Sequence, residues 1–79
     1  MNNFKIEIAN VDCTGCIGLI KLVFEDLEKD IRNFDVFEIN FEQNFARASF
    51  SSNRNTDEID SILNDAFKKY LNKYNYKYI

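Results

Sequence analysis

Apolar and polar residues alternate in four short segments, the pattern of a strand with one buried face. These segments are residues 4–8, 37–41, 45–50 and 74–78. The middle two flank Gln43-Asn44, which suits a tight turn because asparagine tolerates positive φ. The sequence therefore predicts four strands, of which the middle two form a hairpin. The alternating apolar residues are Phe4, Ile6 and Ile8; Phe37, Ile39 and Phe41; Ala46, Ala48 and Phe50; and Tyr74, Tyr76 and Tyr78.

Between these segments apolar residues recur every three or four positions, as on the buried side of a helix. Thr14 is a candidate cap for the first helix, and Asn55 with Glu58 resembles a capping box at the second. Gly18 costs about 1 kcal/mol relative to alanine inside a helix, so we expect it to permit close packing near the preceding loop. The apolar positions are Ile17, Ile20, Phe24, Leu27 and Ile31, then Ile59, Ile62, Leu63, Ala66, Phe67, Tyr70 and Leu71.

The predicted order is β-α-β-β-α-β, which is typical of the ferredoxin-like split βαβ arrangement. We therefore expect an α+β fold, a ferredoxin-like βαββαβ sandwich with a four-stranded antiparallel sheet and two helices on one face. The first and third strands should lie at its centre. Residues 1–79 are too few for more than one small core, so we expect a single domain.

The composition excludes several kinds of catalytic and metal site. The chain has no histidine, no proline and only two cysteines. Without histidine it cannot form a Ser-His-Asp triad, a Cys-His pair or a histidine-containing zinc finger. Two cysteines cannot complete a four-cysteine zinc site and do not indicate a disulfide-rich scaffold. No catalytic machinery is visible, and we expect a protein that is not an enzyme.

The charge distribution is uneven along the chain. The net charge is −3 and the sequence pI is about 4.8, which argues against nucleic-acid binding. Residues 67–79 nevertheless carry four lysines and no acid, whereas residues 1–66 carry thirteen acids and six bases. This basic segment is either a solvated helix end and strand or an edge that docks an acidic partner.

The sequence also bears on where the protein works. No apolar run approaches the roughly 20 residues of a membrane span, and the amino terminus lacks the pattern of a signal peptide. We expect a cytoplasmic protein without direct membrane insertion. A reducing compartment keeps Cys13 and Cys16 as thiols, which favours metal binding or redox chemistry over a structural disulfide.

One loop carries recognisable chemistry, the segment Asp12-Cys13-Thr14-Gly15-Cys16 before the first helix. The C-x-x-C spacing brings two sulfurs within reach of one ion where the chain turns into a helix. Free N–H groups and the positive helix end favour thiolates, so we expect a lowered pKa at Cys16. Thiolates are soft ligands that suit Cu(I), Zn(II) or Cd(II). Gly15 is expected to let the backbone turn without a side chain in the way.

By itself this spacing leaves three function classes open. The cysteines form a metal site, a thiol-disulfide redox centre, or an incidental pair in a ferredoxin-like interaction domain. A zinc ribbon is excluded because there is no second C-x-x-C. A thioredoxin-type centre is disfavoured because such folds rely on a proline facing the cysteines, and the element order also differs.

Position, spacing and element order together resemble the heavy-metal-associated domain family, which has a Gly-Met-x-Cys-x-x-Cys loop between the first strand and helix. The corresponding stretch here is residues 10–16, with Asn10 in place of the glycine and Val11 in place of the methionine. The resemblance implies reversible binding of one soft metal ion by Cys13 and Cys16. It also implies transfer to a metal-transporting P-type ATPase or another metal-binding domain, by a monomer or a metal-bridged dimer.

The resemblance also suggests which residues surround the ion. Val11 would tether the loop as a buried apolar residue. The family has a lysine or an aromatic residue near the metal, just before the last strand, and the candidates here are Lys69, Tyr70 and Lys73. The alternative, of equal weight, is that Tyr70 lies in the core and the lysines are solvated. Thr14 and Gly15 lie between the ligands.

Asp12 bears on the choice of metal. Copper modules of this family usually carry a neutral residue beside the first cysteine, whereas an aspartate resembles certain zinc- and cadmium-pumping modules. Zn(II) prefers four ligands and accepts carboxylates, while Cu(I) is satisfied by two sulfurs. Asp12 is thus a candidate third ligand; the alternative is that it caps the helix or faces water.

Overall fold

The predicted ferredoxin-like α+β fold is confirmed by the structure, a computed structural model that describes all 79 residues. Neither helix is long and apolar enough to cross a membrane. The elements run in the order β1 (Asn2–Ala9), α1 (Thr14–Asp26), β2 (Arg32–Asn40), β3 (Phe45–Ser52), α2 (Thr56–Tyr70) and β4 (Asn75–Tyr78).

The sheet has the strand order β2-β3-β1-β4, and every neighbouring pair is antiparallel. The first and third strands are therefore central, as predicted. Ala9 at the end of β1 pairs with Asn75 at the start of β4. This register brings the loop that leaves β1 beside the connection that enters β4, although the two segments are far apart in sequence.

Both helices pack on one face of the sheet, and aromatic rings form much of the contact. The Phe24 ring of α1 lies 6.2 Å from Phe50 of β3 and 6.3 Å from Phe67 of α2, between ring centres. Phe67 in turn lies 4.9 Å from Tyr76 of β4. The two helices and the sheet therefore share one core of eighteen buried residues, which includes Ile6, Ile8, Ile20, Ile59 and Leu63.

The helix starts differ in how they are capped. Asn55 caps α2 as predicted, since its side-chain oxygen accepts the N–H of Glu58 at 2.9 Å. The prediction that Thr14 caps α1 is wrong. Thr14 is already the first helical residue, and the capping position belongs to Cys13, whose side chain forms no capping hydrogen bond. The thiol of Cys13 is thus left free for other contacts.

The apolar residues that predicted the second strand are largely exposed. Phe37, Ile39 and Phe41 are 46%, 47% and 42% exposed, whereas Phe34 and Val36 pack against the core. The pairing of β2 with β3 is irregular between Arg32 and Asp35 and again between Val36 and Glu38. Each such bulge inserts an extra residue and shifts the alternation to the other face. Simple alternation therefore fails on this edge strand.

The other face of the sheet carries a row of alternating charges across all four strands. Glu7 on β1 accepts a hydrogen bond from Arg47 on β3 at 3.0 Å and forms an ion pair with Lys77 on β4 at 3.4 Å. Arg47 also bonds Glu38 on β2 at 3.0 Å. The hydrogen bond from Arg47 is the main reason that the pKa of Glu7 is lowered.

Hydrogen bonds from two tyrosines attach β4 to α2. The Tyr76 hydroxyl donates to Asp60 Oδ1 at 2.7 Å, and Asn64 Oδ1 lies 2.9 Å from it. The Tyr78 hydroxyl donates to the same Asp60 oxygen at 3.2 Å. Burial, followed by the charge of Asp60, raises the pKa of Tyr78 to about 12. This short edge strand is thus held by polar contacts as well as by packing.

Candidate metal centre

The loop between β1 and α1 is anchored on both sides. Asn10 has a left-handed backbone, with φ of 66°, and its side-chain amide donates to the carbonyl of Lys73 at 3.0 Å. Asparagine tolerates this conformation better than most residues, which explains how it replaces a glycine. The N–H of Val11 donates to the carbonyl of Asn44 at 3.0 Å, and its side chain is fully buried, as the resemblance implies.

The two cysteines lie together at the start of α1 as free thiols of unequal exposure. Their sulfurs are 2.7 Å apart, in hydrogen-bonding contact. Cys13 is exposed, whereas Cys16 is only 4% exposed. The Cys16 thiol donates to Asp12 Oδ1 at 3.4 Å. The ligand atoms of Asp12, Cys13 and Cys16 all lie within 4.8 Å of one another, so one small ion can reach all three.

A lysine completes the polar surroundings of the thiols. Lys73 Nζ donates to Asp12 Oδ1 at 3.0 Å, and each of the two side chains is 52% exposed. This hydrogen bond is the main cause of the lowered pKa of Asp12, and it raises the pKa of Lys73 in return. Asp12 is therefore a carboxylate beside the thiols, held in an ion pair.

Tyr74 is the second residue near the last strand that interacts with the cysteine and aspartate side chains. The residue is 5% exposed, and its backbone N–H donates to the carbonyl of Leu71 at 2.9 Å, which fixes the turn between α2 and β4. Its hydrogen bond with Cys16, together with burial, raises the pKa of Tyr74 to about 12. The hydroxyl therefore stays protonated at neutral pH and can donate to a thiolate.

The two cysteines have opposite pKa shifts. The pKa of Cys16 is lowered by hydrogen bonding from Cys13 and then from Tyr74, whereas the pKa of Cys13 is raised because its proton is shared with Cys16. The pKa of Cys16 is thus lowered, as predicted, and side-chain donors rather than the helix end are the main cause. Cys16 is the first sulfur to become a thiolate, the form that binds a metal.

The remaining residues that the sequence places around the ion are Thr14, Gly15, Lys69 and Tyr70. Thr14 is exposed on the first turn of α1. A Cβ at Gly15 would meet Cys13 Sγ at 3.9 Å, and the φ of Gly15 is not positive, so the backbone does not require glycine there. Lys69 pairs with Asp65 at 3.3 Å, and Tyr70 is 65% exposed rather than in the core.

Lys73 and Tyr74, rather than Lys69 and Tyr70, are the residues that hydrogen-bond with the Asp12 and cysteine side chains. Lys73 is one of the three candidates that the sequence offers, whereas the alternation of apolar residues predicts Tyr74 only as part of the apolar face of the last strand. The position of Tyr74 in the sequence nevertheless indicates this role. Because β4 begins at Asn75, Tyr74 is the residue just before the last strand, where the resemblance places an aromatic residue or a lysine.

Comparisons with known proteins support the fold but give no information about the chemistry of the site. No protein-family model matches the chain, and the comparison with curated proteins gives no match. Among solved structures, the chain is similar to the uncharacterized protein TM1266 from Thermotoga maritima, with a TM-score of 0.59 and 14% sequence identity. The similarity covers 99% of this chain and 94% of that one. At this identity it shows the fold alone.

Proposed function

We propose that this protein binds one soft metal ion, Cu(I) or a divalent ion of the Zn(II) and Cd(II) type, and transfers it to a partner. The observation that carries the proposal is the convergence of Cys13, Cys16 and Asp12 at the edge of the fold. Two thiolates and a carboxylate form a donor set for soft or borderline ions, and one sulfur faces solvent. That arrangement suits a site that loads and unloads.

The unequal burial of the cysteines supports an order of ligand exchange. Cys16 is buried and bonded by Tyr74 and Asp12, so it is the ligand that stays in place. Cys13 is exposed, so a partner thiolate can approach the ion as the Cys13 sulfur leaves. Cys16 then leaves as a second partner ligand binds. The metal keeps its charge throughout, and no oxidant or reductant is consumed.

Binding of one ion sets the distance between the two sulfurs. With Zn–S bonds of about 2.3 Å, two sulfurs at tetrahedral positions stand roughly 3.8 Å apart. Cys13 can adjust to this distance because it is exposed and its side chain caps nothing. The loop backbone, anchored through Asn10 and Val11, need not move.

We further propose that the partner is a metal-transporting P-type ATPase or another metal-binding domain in the cytoplasm. The residues near the site include Lys73, and the last turn of α2 carries Lys68 and Lys69. This basic end favours a partner with an acidic docking surface, and association should weaken as ionic strength rises.

Metal titration of the reduced protein tests the proposal. The parent should bind about one equivalent of Cu(I) or Zn(II) in competition with a chromophoric chelator. Cys13→Ser combined with Cys16→Ser should abolish this binding, because it removes both soft ligands. Thr14→Ala is the matched control, since Thr14 lies between the two cysteines and the change keeps both thiols. Undiminished metal binding by the double variant would contradict the proposal.

A thiol-disulfide function is the second candidate, supported by the contact between the two free sulfurs and by the lowered pKa of Cys16. In that function the thiols would give two electrons and two protons to a substrate disulfide, and Cys13 and Cys16 would become linked. Reduction of a model disulfide by the metal-free protein, without tight metal binding, would favour this candidate. A protein inactive in both assays would favour an interaction domain.

A further inference from the structure

The carboxylate of Asp12 is already engaged by a cation. Its Oδ1 accepts hydrogen bonds from Lys73 Nζ at 3.0 Å and from the Cys16 thiol at 3.4 Å. The partners Asp12 and Lys73 are 61 residues apart in sequence. Their backbones are tied together because the side chain of Asn10 donates to the Lys73 carbonyl at 3.0 Å. The fold therefore fixes the backbone of Lys73 beside the loop that carries Asp12.

This ion pair affects monovalent and divalent ions differently. Cu(I) is satisfied by two sulfurs, whereas Zn(II) and Cd(II) seek further ligands, and Asp12 is the carboxylate in reach of the thiols. A divalent ion that binds Oδ1 must therefore displace Lys73, and one that binds the other carboxylate oxygen meets a charge that Lys73 already neutralises. The lysine charge also repels a divalent ion with twice the energy of a monovalent one, since Coulomb energy scales with charge.

We propose that the Lys73–Asp12 ion pair biases the thiol site toward Cu(I) by occupying the carboxylate that a divalent ion would use. Lys73 is thus a specificity-determining residue, although it contributes no ligand. The inference rests on the proposed metal-binding function. It also revises what Asp12 indicated by itself, because an aspartate beside the first cysteine predicts a divalent site only when its charge is not already paired with a cation.

Competitive titrations of the Lys73→Met variant test this inference. Both ions displace the same thiol protons, so the lysine charge acts differently on them only through the one unit of charge by which they differ. By charge alone, the ratio of the Zn(II) to the Cu(I) association constant should therefore rise about threefold. Release of Asp12 from an exposed ion pair adds roughly another threefold for Zn(II), so the ratio should rise about tenfold in all. Lys73→Arg keeps the cation and should stay close to the parent.

Two further variants separate the ion pair from net charge. In an Asp12→Asn background, Lys73→Met should raise the ratio of the Zn(II) to the Cu(I) constant only about threefold, because no carboxylate is released. Lys68→Met removes the same charge from an exposed position on the last turn of α2 and should change neither constant by more than about twofold. Circular dichroism checks that each variant is folded.

The outcomes are distinct. A larger rise in the Zn(II)/Cu(I) ratio when Asp12 is present than in the Asp12→Asn background supports the inference. An equal rise in both backgrounds, or a rise no larger than that of Lys68→Met, overturns it while leaving the metal-binding function intact. A parent protein that binds neither ion overturns the proposed function, and the inference with it.

Discussion

Replacing Gly18 with alanine should stabilise the protein. Gly18 is exposed in the interior of α1, its φ is not positive, and a Cβ built on it meets nothing within 4 Å. The sequence-based expectation that this glycine permits close packing is therefore wrong within the chain. What remains is the conformational cost of glycine in a helix, so the substitution carries a gain and no steric penalty.

The magnitude follows from helix propensity. Glycine is about 0.8–1.0 kcal/mol less favourable than alanine in a helix interior, partly because it has more conformational freedom in the unfolded chain. For a domain of 60–100 residues, a gain of about 1 kcal/mol corresponds to an increase in Tm of roughly 4–8 °C. The free energy of unfolding is measured by urea denaturation of the reduced protein, followed by circular dichroism.

Gly15→Ala provides the comparison. This glycine lies on the first turn of α1, and its added methyl group would touch Cys13 Sγ at 3.9 Å. We expect a smaller stability gain there, together with a measurable change in metal affinity. Gly18→Ala should leave metal affinity as it is. An unchanged or lower free energy of unfolding for Gly18→Ala would refute the reasoning, because it would require an interaction of Gly18 that the packing does not contain.

Three other predictions concern charge and loop conformation. The pKa of Tyr78 is raised to about 12 in the folded protein, so the unfolded chain loses this proton at lower pH. The free energy of unfolding should therefore fall between about pH 10 and pH 12. In Tyr78→Phe, the urea midpoint should fall less steeply over this range. The pKa of Glu7 is lowered in the folded protein. The stability that Glu7 contributes is therefore present above the pKa of the unfolded chain, near 4.3, and is lost as the pH falls through the pKa of the folded protein. Arg47→Met should flatten that acid loss in urea titrations, and an unchanged slope would count against the charge row. Asn10→Ala should lower the free energy of unfolding by about 1–2 kcal/mol, because alanine is strained at positive φ, whereas Asn10→Gly should be milder in the same denaturation assay.

The periodicity of apolar residues and the capping residues predicted the helices and strands well wherever short-range interactions decide them. The order β-α-β-β-α-β, the cap at Asn55 and the central positions of β1 and β3 were all predicted. Periodicity marks a buried face whenever an element lies flat against the core, as β1 and both helices do. It failed on β2, because bulges on this edge strand transfer the alternation to the exposed face.

The sequence by itself determined the donor chemistry of the candidate site. A C-x-x-C segment at the start of a helix brings two sulfurs together through contacts three residues apart, so spacing is sufficient to predict the pair. The absence of histidine leaves these thiols and nearby carboxylates as the ligands within the chain. Both conclusions depend on residue types and short-range geometry alone.

Only the tertiary structure decided what surrounds the thiols. Lys73 reaches Asp12, and Tyr74 reaches Cys16, because β4 pairs with β1 in a register that brings residues some sixty positions apart side by side. That register depends on the packing of the whole core, which no local pattern specifies. The sequence thus determined which atoms can bind a metal, and the fold decided that a lysine occupies the neighbouring carboxylate.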